Sequence, residues 1–487
     1  MKKFFKFTTV PAQLFCIAVF LFLFSCRSDE GFPDFPAGGC VLDLSVNGVE
    51  YSTSGLACDT LDLLRLSTET GAEIRVRNHY DYDVITVDGM TADNGNVSVP
   101  VRKIAKSHFL TLIAIKGDRC DTLYLRTMHS DLPDFVIDGN SVSAGDFYLS
   151  FVYIRFIARI NNAGEYVFYS YEPINAIDQT KSQGWWDFRK HVIDNTVYYS
   201  YHAPDPGFYS LGFSGYNPGM RIIMDENYNP IDTLHLLAGR GDTIKTGDPV
   251  DGHDFMMIGR NHYIVSSYVR IDTVYAAYLQ EVDNGRVVFD WLSTDHAEMA
   301  DWVDPVFRDN AVSDYVHFNS IDVLPDGNWL CSFRHISSVL KINRADGSGD
   351  IMWRLAGADN DGSFSFHGQH YVRYHEDDNT VTLFNNGNGT GRTQMLRLDV
   401  DTCTGKVLES SILHDDGYFA AACGALTFSG KNMIVGWGIP GDTDNINCDR
   451  VISEYDGNGT EVFSVRFRQN NSLKNQLLSS YRCVKCE

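Results

Sequence analysis

Beyond its first 25 residues the chain shows almost no helical periodicity. Apolar and polar residues alternate over short runs such as "GAEIRVRN", "NTVTLF" and "YVFYSY", and Gly, Asn and Asp turns separate the runs. Successive side chains of a strand point to opposite faces, so this pattern predicts an all-β protein. Between residues 40 and 145 the runs "CVLDLSVNG", "GAEIRVRN", "HFLTLIAIKG" and "DTLYLRT" make one β-sandwich domain. From 146 onward an apolar strand, an Asp/Asn/Gly turn and a second strand recur, starting at Ile157, Arg221, Leu279, Leu340, Leu396 and Ile452. The starts are 64, 58, 61, 56 and 56 residues apart. A period near 60 built from strands predicts a six-bladed β-propeller over 146–487. Two stacked sandwiches would also supply strands, but not a near-constant period.

The N-terminus differs. The basic "MKKFFKF" precedes the apolar run "LFCIAVFLFLFS", which is short for a membrane span and fits an export signal over residues 1–25. The run ends at Leu23-Phe24-Ser25-Cys26, which resembles a bacterial lipobox and makes Cys26 the expected lipid attachment point. The acidic, Pro-containing stretch over 26–39 then serves as a tether. It is similar to the signal that sends some Gram-negative lipoproteins to the outer face. The expected location is the cell envelope, anchored to the outer membrane and facing the periplasm or the surface; an ordinary periplasmic leader with a stray cysteine is the alternative. A formal charge of −23 excludes nucleic acid as a partner, because a phosphate backbone needs a basic face. Any anionic substrate therefore requires a local basic pocket. Of eleven cysteines, nine remain beyond Cys16 and Cys26, an odd number that leaves at least one thiol free. "CVKC" near the C-terminus lacks a second pair at zinc spacing and reads as structural.

Measured against the repeat, three histidines occupy near-equivalent places. His253 lies 26 residues before the Leu279 start, His317 lies 23 before Leu340, and His370 lies 26 before Leu396. Blades pack radially, so matched positions on inner strands converge on the axis. Arg334, one strand after His317, brings a fixed positive fork to the same place. In "FHGQHYVRY", His367 and His370 are three apart, and on one strand they would face opposite ways. Equivalence with His253 and His317 selects His370. Each histidine taken alone reads more readily as a half-buried strand residue, and three at matched offsets with an arginine bring the functional reading level with that one. Three imidazoles can hold a metal, but the neighbouring arginine repels a cation, so an anion suits the set better and no metal is expected.

With the ordered pieces "LRTMHSDLPDF", "DGHDF", "DYVHFNSIDVLPDGNWLCSFRHISSVLKI", "GDIMWRLAG", "FHGQHYVRYHEDDNTVTLFNNG" and "MIVGWG", the sequence resembles the bacterial arylsulfotransferases that need no nucleotide sulfate donor. The resemblance covers roughly residues 125 to 440. It implies a six-bladed propeller with an N-terminal sandwich, and sulfuryl transfer from a phenolic sulfate ester to a phenolic acceptor by a ping-pong route through a sulfated histidine. The family's nucleophile matches His370. Its anion-binding groups match His253, His317, Asn319 and Arg334, the last two as substrate-binding residues. Either His253 or His317 would protonate the leaving phenolate. No cofactor is implied, and dimers occur in the family. Trp353, Tyr371 and Phe255 read as core residues and are left unassigned. The rival reading is a surface lipoprotein whose propeller binds glycans or a partner protein. A propeller hydrolase or lyase would need a carboxylate pair or a metal cage, and neither appears at repeat-equivalent positions.

Overall fold

The computed structural model describes residues 42–52, 59–78, 81–129, 132–173, 184–205, 215–241, 243–309, 313–358, 364–441, 449–468 and 479–486. The export signal, Cys26, the tether, Cys40, Cys58 and Cys448 lie outside them. The chain divides into two compact units, one of residues up to 130 with 166–170, the other of 131–165 with 171–487. Among the described residues no helix is long and apolar enough to cross a membrane.

The first unit holds two sheets. One orders Val49–Ser52, Asp43–Val46, Ala72–Arg77 and Asn96–Val99; the other orders Thr60–Asp62, Arg119–Arg126, Phe109–Lys116, Val84–Val87 and Met90–Thr91. In Ala72–Arg77 buried and exposed positions alternate strictly, which is the period that the sequence displayed. Asn47-Gly48 turns the first hairpin with both residues at positive φ, 49° and 78°, the pairing a tight hairpin demands.

The second unit is a succession of antiparallel sheets of the β-propeller class. Its six innermost strands are β1 (Trp186–Ile193), β2 (Phe255–Gly259), β3 (Phe318–Val323), β4 (His370–His375), β5 (Ala425–Ser429) and β6 (Ser480–Cys486). Outward from β1 through β5, each sheet continues with three further strands in chain order; β6 instead leads back to Asp146–Phe151 and Phe156–Ile160. All six repeat starts fall in the third strand of a sheet, counted from inside. The sheets are separate in hydrogen bonding, and each innermost strand packs on the next, β6 lying against both β5 and β1. The second unit begins earlier than the expected 146, because Phe135–Gly139 pairs with Glu461–Phe467 on the outer edge of the β5 sheet.

Between sheets the facing side chains are apolar. Trp291, Phe318, Trp329, Phe333 and Leu340 fill the space between the β2 and β3 sheets, and Leu330, Val339, Val372, Leu383 and Leu396 fill the next. Phe255, Trp353 and Tyr371 are buried, as expected. At the inner strands the packing turns ionic. Asp187 accepts from Arg189, from Arg221 at 2.9 Å and from Arg482 at 2.8 Å. Asp254 accepts from Arg189, from Arg373 at 3.0 Å and from Arg482 at 3.1 Å, and also from the Ile321 N–H at 2.9 Å. These four arginines come from three different sheets, so the knot fastens the inner strands to one another. Burial pushes the Asp254 carboxyl up, but Arg373, Arg189 and Arg482 outweigh it and hold the group ionised.

Candidate active site

The head of an innermost strand is irregular in four of the sheets. Asp187, His317, Tyr371 and Cys423 have φ of 53°, 50°, 51° and 62° at or just before β1, β3, β4 and β5. Register shifts accompany them at Trp186/Arg189, Phe318/Ser320 and His370/Arg373. Left-handed non-glycine residues cost on the order of 1–3 kcal/mol and persist where surrounding bonds over-determine them. A bulge at this place re-aims a side chain that the regular pleat would send elsewhere.

At His317 the over-determining bond is visible. Asp314 accepts the His317 backbone N–H at 3.0 Å with one oxygen and engages ring Nδ1 with the other. His253 repeats the arrangement on the neighbouring sheet, with Asp251 Oδ2 at 2.9 Å from its backbone nitrogen and 2.5 Å from Nδ1. The two imidazoles meet edge to face, ring centres 4.9 Å apart, and both are buried. Their carboxylates differ. Burial raises Asp314 to about 6. Burial also pushes Asp251 up, but the charge and hydrogen bonds of His253 outweigh it and carry the group below its usual range. His317 is held well below the ordinary histidine value by burial, then by His253 and Arg334.

His370 is backed by an amide instead of an acid. Its Nδ1 lies 2.7 Å from Asn386 Oδ1 and 3.1 Å from the Gly368 carbonyl. Asn386 Nδ2 donates to the carbonyls of Ala420 at 2.9 Å and Cys423 at 3.1 Å, so its oxygen must face the imidazole. Nδ1 therefore carries the proton and Nε2 the lone pair. That nitrogen accepts only a long 3.3 Å bond from the Cys423 N–H. Burial, then the positive charge of Arg334, hold His370 neutral far below its usual range, against a smaller opposing push from the Asn386 bond. Asn386→Ala should free the ring to rotate and lower turnover about tenfold to a hundredfold, as loss of an orienting partner does at comparable sites. Steady-state kinetics would check this, read beside a melting curve that registers the stability lost when the buried Ala420 and Cys423 carbonyls lose their donor.

Arg334 reaches the same place. Its Nη2 donates to the Ala421 carbonyl at 3.1 Å, and its guanidinium lies 4.4 Å above the Phe307 ring centre. Burial lowers it to about 10, which leaves it charged at neutral pH. His335, unnoticed in the sequence, stacks on His317 at 4.6 Å and donates Nδ1–H to the Asp314 carbonyl at 2.6 Å. Asp314, His317 and His335 lie close enough to hold a cation in principle, but the charged arginine nearby makes the group a poor metal site.

His253, His317, Arg334 and His370 thus converge. Asn319 is placed differently from the other four: it is fully buried and gives its amide N–H to the Gln369 carbonyl at 2.6 Å, supporting the residue before the nucleophile candidate. His367 turns away to Asp304, Nδ1 to Oδ2 at 2.7 Å. Strand alternation is not the reason, since β4 begins only at His370. Among the described cysteines, Cys331, Cys403, Cys423, Cys483 and Cys486 are free thiols. Asp251 and Asp314 left a faint trace in the sequence, an acid two or three residues ahead of each histidine, whereas Asn386 left none.

Comparison with solved structures finds the dihydro-heme d1 dehydrogenase NirN (10% identity, 67% of this chain and 54% of that one, TM-score 0.32). It also finds virginiamycin B lyase from Staphylococcus aureus (10%, 70% and 90%, 0.35) and the periplasmic gluconolactonase PpgL from Pseudomonas aeruginosa (14%, 66% and 99%, 0.33). The chain spans about half the length of NirN, and at TM-scores this low none of the three bears on the chemistry. No curated protein sequence matches significantly. The arylsulfotransferase (ASST) family model matches residues 209–468, just over half of the 487. That span holds His253, His317, Arg334, His370 and Asn386, and the chain belongs to the arylsulfotransferase family.

Proposed function

We propose that this protein is an aryl sulfotransferase that moves a sulfuryl group from a phenolic sulfate ester to a phenolic acceptor through a sulfated His370, with no nucleotide donor. The observation that carries the reading is the oriented, neutral imidazole of His370, with Nδ1–H fixed by Asn386 and Nε2 engaged by a long bond from the Cys423 N–H. In the first half-reaction the Nε2 lone pair forms a bond to sulfur while the sulfur–oxygen bond to the phenolate breaks. The Cys423 N–H, released from Nε2, is left facing the sulfuryl oxygens, whose charge Arg334 and His317 meet as preorganised donors. His253 gives its proton to the leaving phenolate and takes one from the acceptor phenol in the second half-reaction, which breaks the nitrogen–sulfur bond. Its ionised Asp251 suits it to this task better than His317, whose Asp314 resists ionisation. We further propose that the protein works in the cell envelope, lipid-anchored through Cys26.

The test is to incubate the purified full chain with 4-methylumbelliferyl sulfate, with and without a phenol, and to map any sulfuryl adduct by mass spectrometry. Phenol-dependent release with an adduct on the His370 peptide is the expected result. An intact protein inert toward several aryl sulfates would make the binding-module reading the better one.

A pH dependence follows from Asp314. While protonated it donates to His317 Nδ1, which leaves the proton on Nε2 free to meet a sulfuryl oxygen; once ionised it draws that proton to Nδ1. The carboxyl titrates at about 6, so donor kcat/KM should fall severalfold as pH rises through that value. Asp314→Asn should flatten the step in a pH profile.

A further inference from the structure

Asp304 lies in the connection between the β2 and β3 sheets, among the short 3-10 turns Ser293–Asp295, Ala297–Trp302 and Pro305–Phe307. It is almost fully buried and belongs to neither strand that carries the reacting groups. Its Oδ2 accepts from His367 Nδ1 at 2.7 Å and from Ser337 Oγ at 2.6 Å, and its backbone N–H donates to the His335 carbonyl at 2.9 Å. Ser337 Oγ in turn accepts the Gly368 N–H at 3.2 Å. Three residues on, Phe307 lies beneath the Arg334 guanidinium and 5.2 Å from the His335 ring. A Cβ on Gly368, which sits at φ +68°, would come within 2.7 Å of Phe307 Cζ.

One carboxylate therefore grips two segments. The first runs from His367 through Gly368 to His370, whose Nδ1 leans on the Gly368 carbonyl. The second carries Arg334, His335 and Ser337. We propose that Asp304 and His367 are positioning residues whose bond sets the spacing between the His370 imidazole and the Arg334 guanidinium. The assignment rests on the sulfuryl-transfer reading above. Neither residue touches the sulfuryl group; their effect is geometric, and a displacement of about 1 Å between nucleophile and clamp is enough to lower a rate severalfold to a hundredfold.

The experiment compares His367→Ala, His367→Asn and Asp304→Asn in the full chain. The readouts are the burst rate of adduct formation with 4-methylumbelliferyl sulfate, the donor and acceptor KM, and the calorimetric Kd for inorganic sulfate. His367→Ala should slow the burst about tenfold and weaken sulfate binding severalfold, with acceptor KM unchanged. Asparagine at 367 offers an N–H near the place of Nδ1–H and should restore both to within about threefold of wild type. The double variant His367→Ala with Asp304→Asn should be no worse than the weaker single one, as expected for partners in one bond. A His367→Ala protein equal to wild type in burst and sulfate Kd, or an asparagine variant no better than alanine, overturns the proposal. A wild-type protein without transfer activity defeats the functional reading instead, and the sulfate Kd series still decides the positioning role. Should His367→Ala fail to fold, the contrast between His367→Asn and Asp304→Asn decides it in the same way.

Discussion

His370→Ala should lower sulfuryl transfer by about 10⁴-fold or more and abolish the burst of adduct, because the proposed mechanism gives attack on sulfur to this imidazole and other roles to its neighbours. His253 and His317 have Nδ1 engaged by carboxylates and serve the developing charges. Arg334 has no lone pair to offer. Cys423 contributes its backbone N–H, and burial drives its thiol up to about 12, far from a thiolate at neutral pH. The loss should sit in kcat, with sulfate affinity largely kept, since the anion is held by the neighbours. Single-turnover kinetics beside a sulfate titration separates the two. A variant that retains even a hundredth of the wild-type burst would place the nucleophile elsewhere. The substitution also leaves Asn386 Oδ1 without its donor, a stability loss of about 1–3 kcal/mol that a melting curve would register.

Asp254→Ala is expected to destabilise the second unit by about 3–5 kcal/mol, the usual consequence of stranding buried charge. Arg189, Arg373 and Arg482 converge on this one carboxylate, and Asp187 alone cannot neutralise the arginines that remain. The Ile321 N–H also loses its acceptor at the inner edge of β3. Urea titration followed by tryptophan fluorescence measures the change, and Asp254→Asn should fall between alanine and wild type because it restores polar bonds without charge. A loss below about 1 kcal/mol would mean that the knot is redundant.

The strands and the repeat were legible because each sheet places its third strand before a tight polar turn, and the turn residues are constrained by backbone geometry alone. Asn284-Gly285, at φ 47° and 75° between Val274–Asp283 and Arg286–Leu292, is such a turn, and it stands inside the repeat that starts at Leu279. The three histidines were legible for a related reason: a repeat ruler reports any residue at the head of an inner strand. Residues from connections of unequal length escape that ruler. Asn386, Asp304 and His335 reach the cluster from such places, and only the folded backbone shows what they touch. His367 was set aside on a strand argument that does not apply, since its direction comes from Asp304. Asn319 was read as an anion-binding group, and the bond seen at its amide goes to the Gln369 carbonyl.

Arg482 comes from β6, a strand made long after the rest of the cluster, and it holds Asp187, Asp254 and the Asn319 carbonyl together. A chain under synthesis therefore carries His253, His317, Arg334 and His370 well before it carries the guanidinium that ties Asp187, Asp254 and β3 together. Before Arg482 is in place, Asp187 and Asp254 share only Arg189, and the link from β6 to the Asn319 carbonyl of β3 is missing. A chain trimmed ahead of β6 is therefore expected to lose the fastening of its inner strands while keeping His253, His317, Arg334 and His370.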